Sequence, residues 1–380
     1  MLFLPMRVIF ICPELRDRGG NFLVAELARR LPAYGWDVEI ATLVGRGDKA
    51  IREGSEALWH DVNVTPIPVD AEKKTLDFIY EATSAIVSFL EKKEADVYVA
   101  DGGLPPAGLR FSNKRPALIF NQGLQHFSQL NYGAEDPQKF LFSKMDKVIR
   151  SLGLLTGIPI VTVSEPHKRE MEHLNGKMDY TVIEPGLASD FFDVHKSNYS
   201  LNPPIVFATS GASLADKGKG FALLVDSLNL LHQEGLNFVL KIYSTDFQPS
   251  NFSINFPYEV KGMSNPKDLA KALSEADIYL NASMYETFCL SIAEAMAIGL
   301  PCVITNAVGP MAYANTSNAM IIEERSPQNF CGAIKTLLDV SESDRQKIGE
   351  AARVALSDYT LENMASGWDR VLRQTMNGQK

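Results

Sequence analysis

Short apolar, β-branched runs alternate along the chain with longer segments whose apolar positions recur at the helical period. "RVIFIC" (7–12) reads as a buried strand and "RDRGG" as a loop. "NFLVAELARRLPAYG" reads as a helix opening near Asn21, a fair N-cap, with Leu23, Leu27 and Leu31 on one face. "DVEIATL" (37–43), "DVYVAD" (96–101), "ALIFNQ" (117–122), "IPIVTVS" (158–164) and "YTVIEPG" (180–186) predict further strands. Residues 75–93, 137–157 and "HKREMEHL" predict helices between them. The alternation stops at "DVHKSNYSLNPP" (193–204), which is polar and proline-rich as an interdomain linker is. It resumes with strands "IVFATS" (205–210), "FVLKIYS" (238–244), "DIYLNAS" (277–283) and "PCVITN" (301–306). Helical segments separate these strands, and the amphipathic "LENMASGWDRVLRQT" ends the series. Strand–helix alternation of this kind makes βαβ units and parallel sheets. The expected class is α/β, with two doubly wound, Rossmann-like domains. Ligands of such sheets sit beyond the carboxyl ends of the strands, so two facing sheets predict one shared cleft.

Composition narrows the picture without naming a chemistry. The 380 residues suit two domains better than one core, and 46% hydrophobic with 22% charged residues is ordinary globular usage. The net charge is −9 and neither half of the chain is basic, which gives no nucleic-acid footprint. A local basic patch for anionic lipid, and with it a peripheral membrane contact, stays open. Cys12, Cys289, Cys302 and Cys331 form no CxxC pair and no metal-ligand spacing, which suggests free thiols in a reducing cytoplasm. "MLFLPMRVIFIC" is apolar, but Pro5 and Arg7 interrupt it, and it reads better as a first strand than as a signal peptide. No apolar run reaches the ~18 residues of a membrane-spanning helix.

The chemistry concentrates in "YETFCLSIAEAMAIGLPCVIT" (285–305). Glu286 follows a strand, beyond its carboxyl end. A helix is expected to begin at Phe288 to Leu290, and its first backbone N–H groups carry the positive end of the dipole, which suits a phosphate. If Ala293, Met296 and Ala297 pack on the sheet, Glu294 points toward the cleft, where it can accept hydrogen bonds from a pair of hydroxyls such as a ribose offers. Gly299 ends the helix and Pro301 opens the next strand.

Glu286, Phe288, Leu290, Glu294, Ala295, Met296, Ala297, Gly299 and Pro301 together resemble the donor-binding signature of retaining GT-B glycosyltransferases, glycosyltransferase family 4. In that signature E-x-F-x-L precedes E-A-M-A-x-G-x-P. Collinear segments resemble the same family over nearly the whole chain. They are the opening strand, glycine loop and helix (from Met6), "IVTVSEPHKREM", "VIEPGLASDFF", "KGKGFALLVDSL" and "VKGMSNPKDLAKALSEADIYLNAS". The resemblance implies an acceptor-binding domain over 1–195, a nucleotide-sugar-binding domain over 204–360, and a helix over 361–380 that crosses back to the first domain. It implies that Glu294 holds the donor ribose, that Glu286 contacts the transferred sugar, and that amides around Phe288, Cys289 and Leu290 approach sugar and diphosphate. Lys219 is expected to pair with the phosphates as they leave, with Lys217 as its local rival. Gly19 and Gly20 would let backbone approach the same diphosphate, the alternative being an ordinary tight turn.

The chain also departs from the family pattern. Thr287 and Cys289 stand where glycine is common, and "SGASLAD" lacks an arginine that usually precedes the lysine. Gln122 stands where many relatives carry a histidine near the reacting carbon. His126 lies four residues on and is the other candidate there. Asp101, at a strand end, is read as structural or facing the acceptor. His167 is read as solvent-exposed, and Tyr285 and Phe288 as packing residues in the alternative.

The combined reading is a retaining, nucleotide-sugar-dependent glycosyltransferase, with a saccharide or lipid-linked acceptor, in bacterial surface polysaccharide or glycolipid synthesis. No cofactor is expected beyond the nucleotide-sugar co-substrate, and no metal, since no D-x-D motif sits where a metal-dependent transferase would want one. Two rivals are a nucleotide-sugar epimerase on the same scaffold and a catalytically weak binding subunit.

Overall fold

A computed structural model describes residues 5–378, apart from 16–18, 46–47, 52, 54, 71–74, 103, 123–156, 213 and 263–264. The chain divides into two units. The first comprises Met1–Glu184 with Glu362–Lys380, and the second Pro185–Leu361.

Among the described residues the first unit is built on seven parallel strands. They are β1 (Met6–Cys12), β2 (Trp36–Gly45), β3 (Val64–Val69), β4 (Val97–Asp101), β5 (Ala117–Asn121), β6 (Ile160–Thr162) and β7 (Tyr180–Val182). Their order is β3-β2-β1-β4-β5-β6-β7. In register, Val8 lies beside Val38 on one side and Val97 on the other. Val8 to Cys12 have no solvent exposure, because helices cover both faces of a parallel sheet and leave its central strands an uninterrupted apolar run. The last helix, Leu361–Met376, belongs to this unit. Its Trp368 is fully buried with its ring 5.7 Å from Phe10 and 4.7 Å from Phe120. Asp369, one residue on, accepts a hydrogen bond from the Trp36 indole.

The second unit carries six parallel strands among its described residues. They are β8 (Ile205–Ser210), β9 (Phe238–Tyr243), β10 (Tyr258–Lys261), β11 (Ile278–Asn281), β12 (Cys302–Thr305) and β13 (Met320–Ile322). The order β10-β9-β8-β11-β12-β13 is that of the dinucleotide-binding sheet. The strand order reverses between β8 and β11, and ligands of open α/β sheets bind beyond the carboxyl ends of the strands at such a point. The same reversal occurs between β1 and β4 in the first unit. Residues 193–204, with the composition of a linker, lie within the second unit. There Lys196 is buried and donates to the Ala276 carbonyl, and the Tyr199 hydroxyl donates to the Gly299 carbonyl.

Candidate functional site

The reversal in the second unit is where several of its candidate side chains gather. After β8 the chain forms a tight turn at Lys217–Lys219, closed by Asp216, whose carboxylate accepts from the Gly218 amide. Gly220 follows with φ 62°, and a Cβ there would fall 1.8 Å from the Ala282 carbonyl oxygen. Only glycine lets this turn press so closely against the exit of β11. The Met284 amide donates to the Gly218 carbonyl and fastens the two loops together. A small cavity lies between them, lined by Ser210, Gly211, Lys219, Ser283, Glu286 and Ser291 among others.

The turn decides between the two lysines. Lys217 is exposed, whereas Lys219 turns into the cavity and brings its ammonium 2.9 Å from Glu286 Oε1. The Ser283 hydroxyl donates to the same oxygen at 2.8 Å. Burial alone would make the ammonium give up its proton more readily. The charge of Glu286 and its hydrogen bond, with smaller contributions from Cys289 and Asp216, overcome that and hold the Lys219 pKa above the ordinary lysine value. Lys219 is therefore a fixed positive charge at any physiological pH, and 36% of its side chain stays open to a ligand. Among the described residues it is the only cation lining the cavity, in keeping with the missing arginine of "SGASLAD".

Glu286 is itself held through its backbone. Its amide donates to the Ala307 carbonyl, and its carbonyl accepts from the Gly309 amide. The helix that follows runs from Leu290 to Ala297. Cys289 at its N-terminal boundary has φ 73° and ψ 83°, a left-handed conformation that a non-glycine residue adopts only under constraint. The Phe288 side chain is buried against the rings of Tyr313 and Tyr359, so it packs, and only its backbone faces the site loop. Ala293, Met296 and Ala297 are buried as their spacing predicts. Gly299, at φ 82°, turns the chain into the loop before β12.

Glu294 lies on the partly exposed side of this helix, and no described residue forms a hydrogen bond or ion pair with it. Burial pushes its pKa up to about 7. Burying a carboxylate without a partner is costly, so the position fits a ligand that brings its own donors.

The first unit holds the remaining candidates. Gly19 and Gly20 open the helix Gly19–Arg30, two residues before the expected Asn21 start. A Cβ on Gly20 would stand 3.1 Å from the Gln122 side-chain oxygen, so glycine makes room for that amide. The Gln122 amide nitrogen donates to Asp101 at 2.9 Å, which joins the ends of β4 and β5. His126 lies outside the described residues. His167 is fully buried, contrary to its reading as an exposed residue. Ser164 caps its helix by accepting from the His167 amide, and this places the imidazole Nδ1 2.8 Å from the Thr162 hydroxyl. Among the described residues no cluster of His, Cys, Asp and Glu is arranged to hold a metal ion.

Sequence reasoning did not single out Ser283, Tyr313 or Arg325. Arg325 donates to the carbonyls of Met284 and Asn306, on the loops leaving β11 and β12. Ser283 only closes the segment before the motif and the other two stand outside it, and each acts through contacts that only the folded chain creates.

Comparison with known proteins agrees with this geometry. Residues 204–340 match the family model described as glycosyl transferases group 1. A probable sucrose-phosphate synthase of Thermosipho melanesiensis is 24% identical over 343 residues, 78% of each chain. A D-inositol 3-phosphate glycosyltransferase of Corynebacterium glutamicum is 34% identical over 88 residues, 23% of this chain and 21% of that one. Among solved structures, sucrose-phosphate synthase from Thermosynechococcus elongatus superposes with a TM-score of 0.77 at 15% identity, over 98% of this chain and all of the other. Anabaena HepE in complex with UDP and glucose superposes with a TM-score of 0.72 at 14% identity, over 97% and 99% of the two chains. With that match and these neighbours, the chain is a glycosyltransferase on a GT-B fold.

Proposed function

We propose that the chain transfers a sugar, with retention of its anomeric configuration, from a nucleotide-sugar donor to an acceptor hydroxyl. The observation that carries this reading is the Lys219–Glu286 pair at the strand-order reversal of the second unit, next to the start of the helix Leu290–Ala297. A fixed ammonium and a helix N-terminus together suit a diphosphate whose charge grows as the glycosidic bond breaks. Glu286 has a second carboxylate oxygen for hydroxyls of the transferred sugar, and Glu294 takes the ribose hydroxyls in this reading. Amides around Phe288, Cys289 and Leu290 complete the donor site. In this reading the residues supply positioning and leaving-group stabilisation rather than a covalent nucleophile. The departing phosphate helps to deprotonate the acceptor.

Gly19 and Gly20 are assigned to the donor diphosphate and Gln122 and His126 to the reacting sugar carbon, while the first unit binds a saccharide or lipid-linked acceptor. That acceptor belongs to bacterial surface polysaccharide or glycolipid synthesis. Among the described residues no helix is long and apolar enough to cross a membrane. The four cysteines are free and buried, which favours a reducing cytoplasm, with any membrane contact peripheral.

Incubation with UDP-, GDP-, dTDP- and ADP-sugars tests the assignment. Slow release of free diphosphate supports a transferase. An isomerised donor would replace this reading with an epimerase, and absence of binding with a non-catalytic subunit.

A further inference from the structure

Two loops meet beside the donor site, and each contains a non-glycine residue with positive φ. One is Cys289, at φ 73°. The other is Val308, at φ 67° and ψ −79°, unusual for a β-branched residue. Strain of this kind persists only where the surroundings fix it, and it gathers at functional sites. The surroundings are explicit here. Glu286 and Val308 form a parallel bridge. A Cβ on Gly309 would fall 2.2 Å from the Thr287 carbonyl carbon, so the second loop lies flat against the first. The Tyr313 hydroxyl reaches across to the Phe288 and Cys289 carbonyl oxygens at 2.9 and 2.8 Å. The Tyr313 ring is buried, 5.1 Å from Phe288 and 5.9 Å from Tyr359, and has no freedom to follow another backbone.

We propose that Tyr313 is a positioning residue of the donor site. Its hydroxyl turns the Phe288 and Cys289 carbonyls inward and so sustains the left-handed bend at Cys289. A rotation of that bend would swing a carbonyl dipole toward the place where the diphosphate gathers charge, and would turn the first amides of the helix away from it. Glycine at position 289 could adopt the bend without help. Cysteine cannot, and Tyr313 supplies the constraint. The inference rests on the donor-site reading, but the constraint itself is independent of any ligand.

The test is a cycle of Tyr313→Phe and Cys289→Gly, made singly and together. Two quantities are read: affinity for UDP, GDP, dTDP or ADP, whichever binds most tightly, and hydrogen exchange of the peptide spanning 286–292. With Cys289 in place, Tyr313→Phe is expected to weaken diphosphate binding about tenfold and to speed exchange by a similar factor, the scale of one lost hydrogen bond at a strained site. In the Cys289→Gly background both effects should shrink to about threefold or less. Equal effects in the two backgrounds would show that Tyr313 merely packs and would overturn the proposal. So would wild-type exchange in Tyr313→Phe. If none of the four diphosphates binds the wild-type protein, the donor reading fails, and the exchange cycle still decides for or against Tyr313.

Discussion

The Lys219 ammonium stands 2.9 Å from Glu286 Oε1, while Lys217, two residues earlier in the same glycine-flanked turn, is exposed. The difference follows from the turn. Gly220 at φ 62° and Asp216 as its cap leave Lys219 only the inward direction. If Lys219 meets charge that is largest in the transition state, Lys219→Ala should lower kcat as well as kcat/KM. The expected loss is about 10²–10³-fold, the scale of one preorganised contact. Lys217→Ala should stay near wild type, and both variants should melt within a few degrees of it. Steady-state kinetics of the two alanine variants settle the ranking, and the reverse order would reassign the phosphate role to Lys217.

Gly220 gives a stability prediction that needs no ligand. Its Cβ position lies 1.8 Å from the Ala282 carbonyl oxygen, far inside contact distance, and the neighbour is backbone rather than a flexible side chain. Gly220→Ala must therefore push the turn from β11 and break the Met284–Gly218 hydrogen bond. A cost of about 2–4 kcal/mol is expected from overpacking plus the left-handed φ. Gly235, also at positive φ (87°) but with nothing within 4 Å of its Cβ position, is the control. Gly235→Ala should cost only about 1 kcal/mol. Chemical denaturation of both variants checks this, and equal losses would mean that the close approach is not what demands glycine at 220.

The pattern that made two parallel sheets legible also explains what it missed. Central strands such as β1 and β8 show continuous apolar runs because both faces are covered. The unread strands β3, β10 and β13 all stand at sheet edges. β3 carries Pro66 and Pro68, which an edge tolerates because one side of the strand needs no donor. Every residue of β10 is exposed, so it has no apolar run to detect. At the site, Glu286 and Glu294 were legible because their spacing sits in a dense motif. Tyr313 was not, because it belongs to a loop after β12 and meets Cys289 only through the fold. His167 was misread for a related reason. Its helix is polar in sequence, but the Ser164 cap turns His167 toward β6, on the same face as the buried Met171.

Chelation probes the source of positive charge in the donor site. Lys219 and the start of the helix Leu290–Ala297 are expected to do the work that a divalent ion does in other transferases. Turnover should therefore survive EDTA with less than about a twofold loss. Complete loss, restored by Mn²⁺, would show that an ion shares the diphosphate with Lys219.

Glu294 sets stability against binding. Burial raises its pKa from the ordinary 4.5 to about 7 in the folded chain, and no described residue offers it a hydrogen bond. Between those values the folded protein holds a proton that the unfolded chain has released, so stability falls as pH rises from about 4.5 to about 7 and levels off above. Glu294→Gln mimics the protonated acid and removes this loss. With partial solvent access discounted, the variant should be about 1–2 kcal/mol more stable than wild type at pH 8, and the gain should vanish near pH 4. Binding should move the other way. A ribose donates hydroxyl protons, and only the ionised carboxylate accepts them strongly, so wild-type affinity for the nucleoside diphosphate should rise from pH 6 to pH 8. Hydrogen bonds to a charged acceptor contribute about 1.5–3 kcal/mol, so Glu294→Gln should bind about 10- to 100-fold more weakly at pH 8, with little pH dependence left. Thermal melts and diphosphate titrations across this pH range read both effects. A variant that gains stability and keeps wild-type affinity would remove Glu294 from the ribose site. A variant that loses stability at pH 8 would mean that the buried carboxylate has a partner in the free protein.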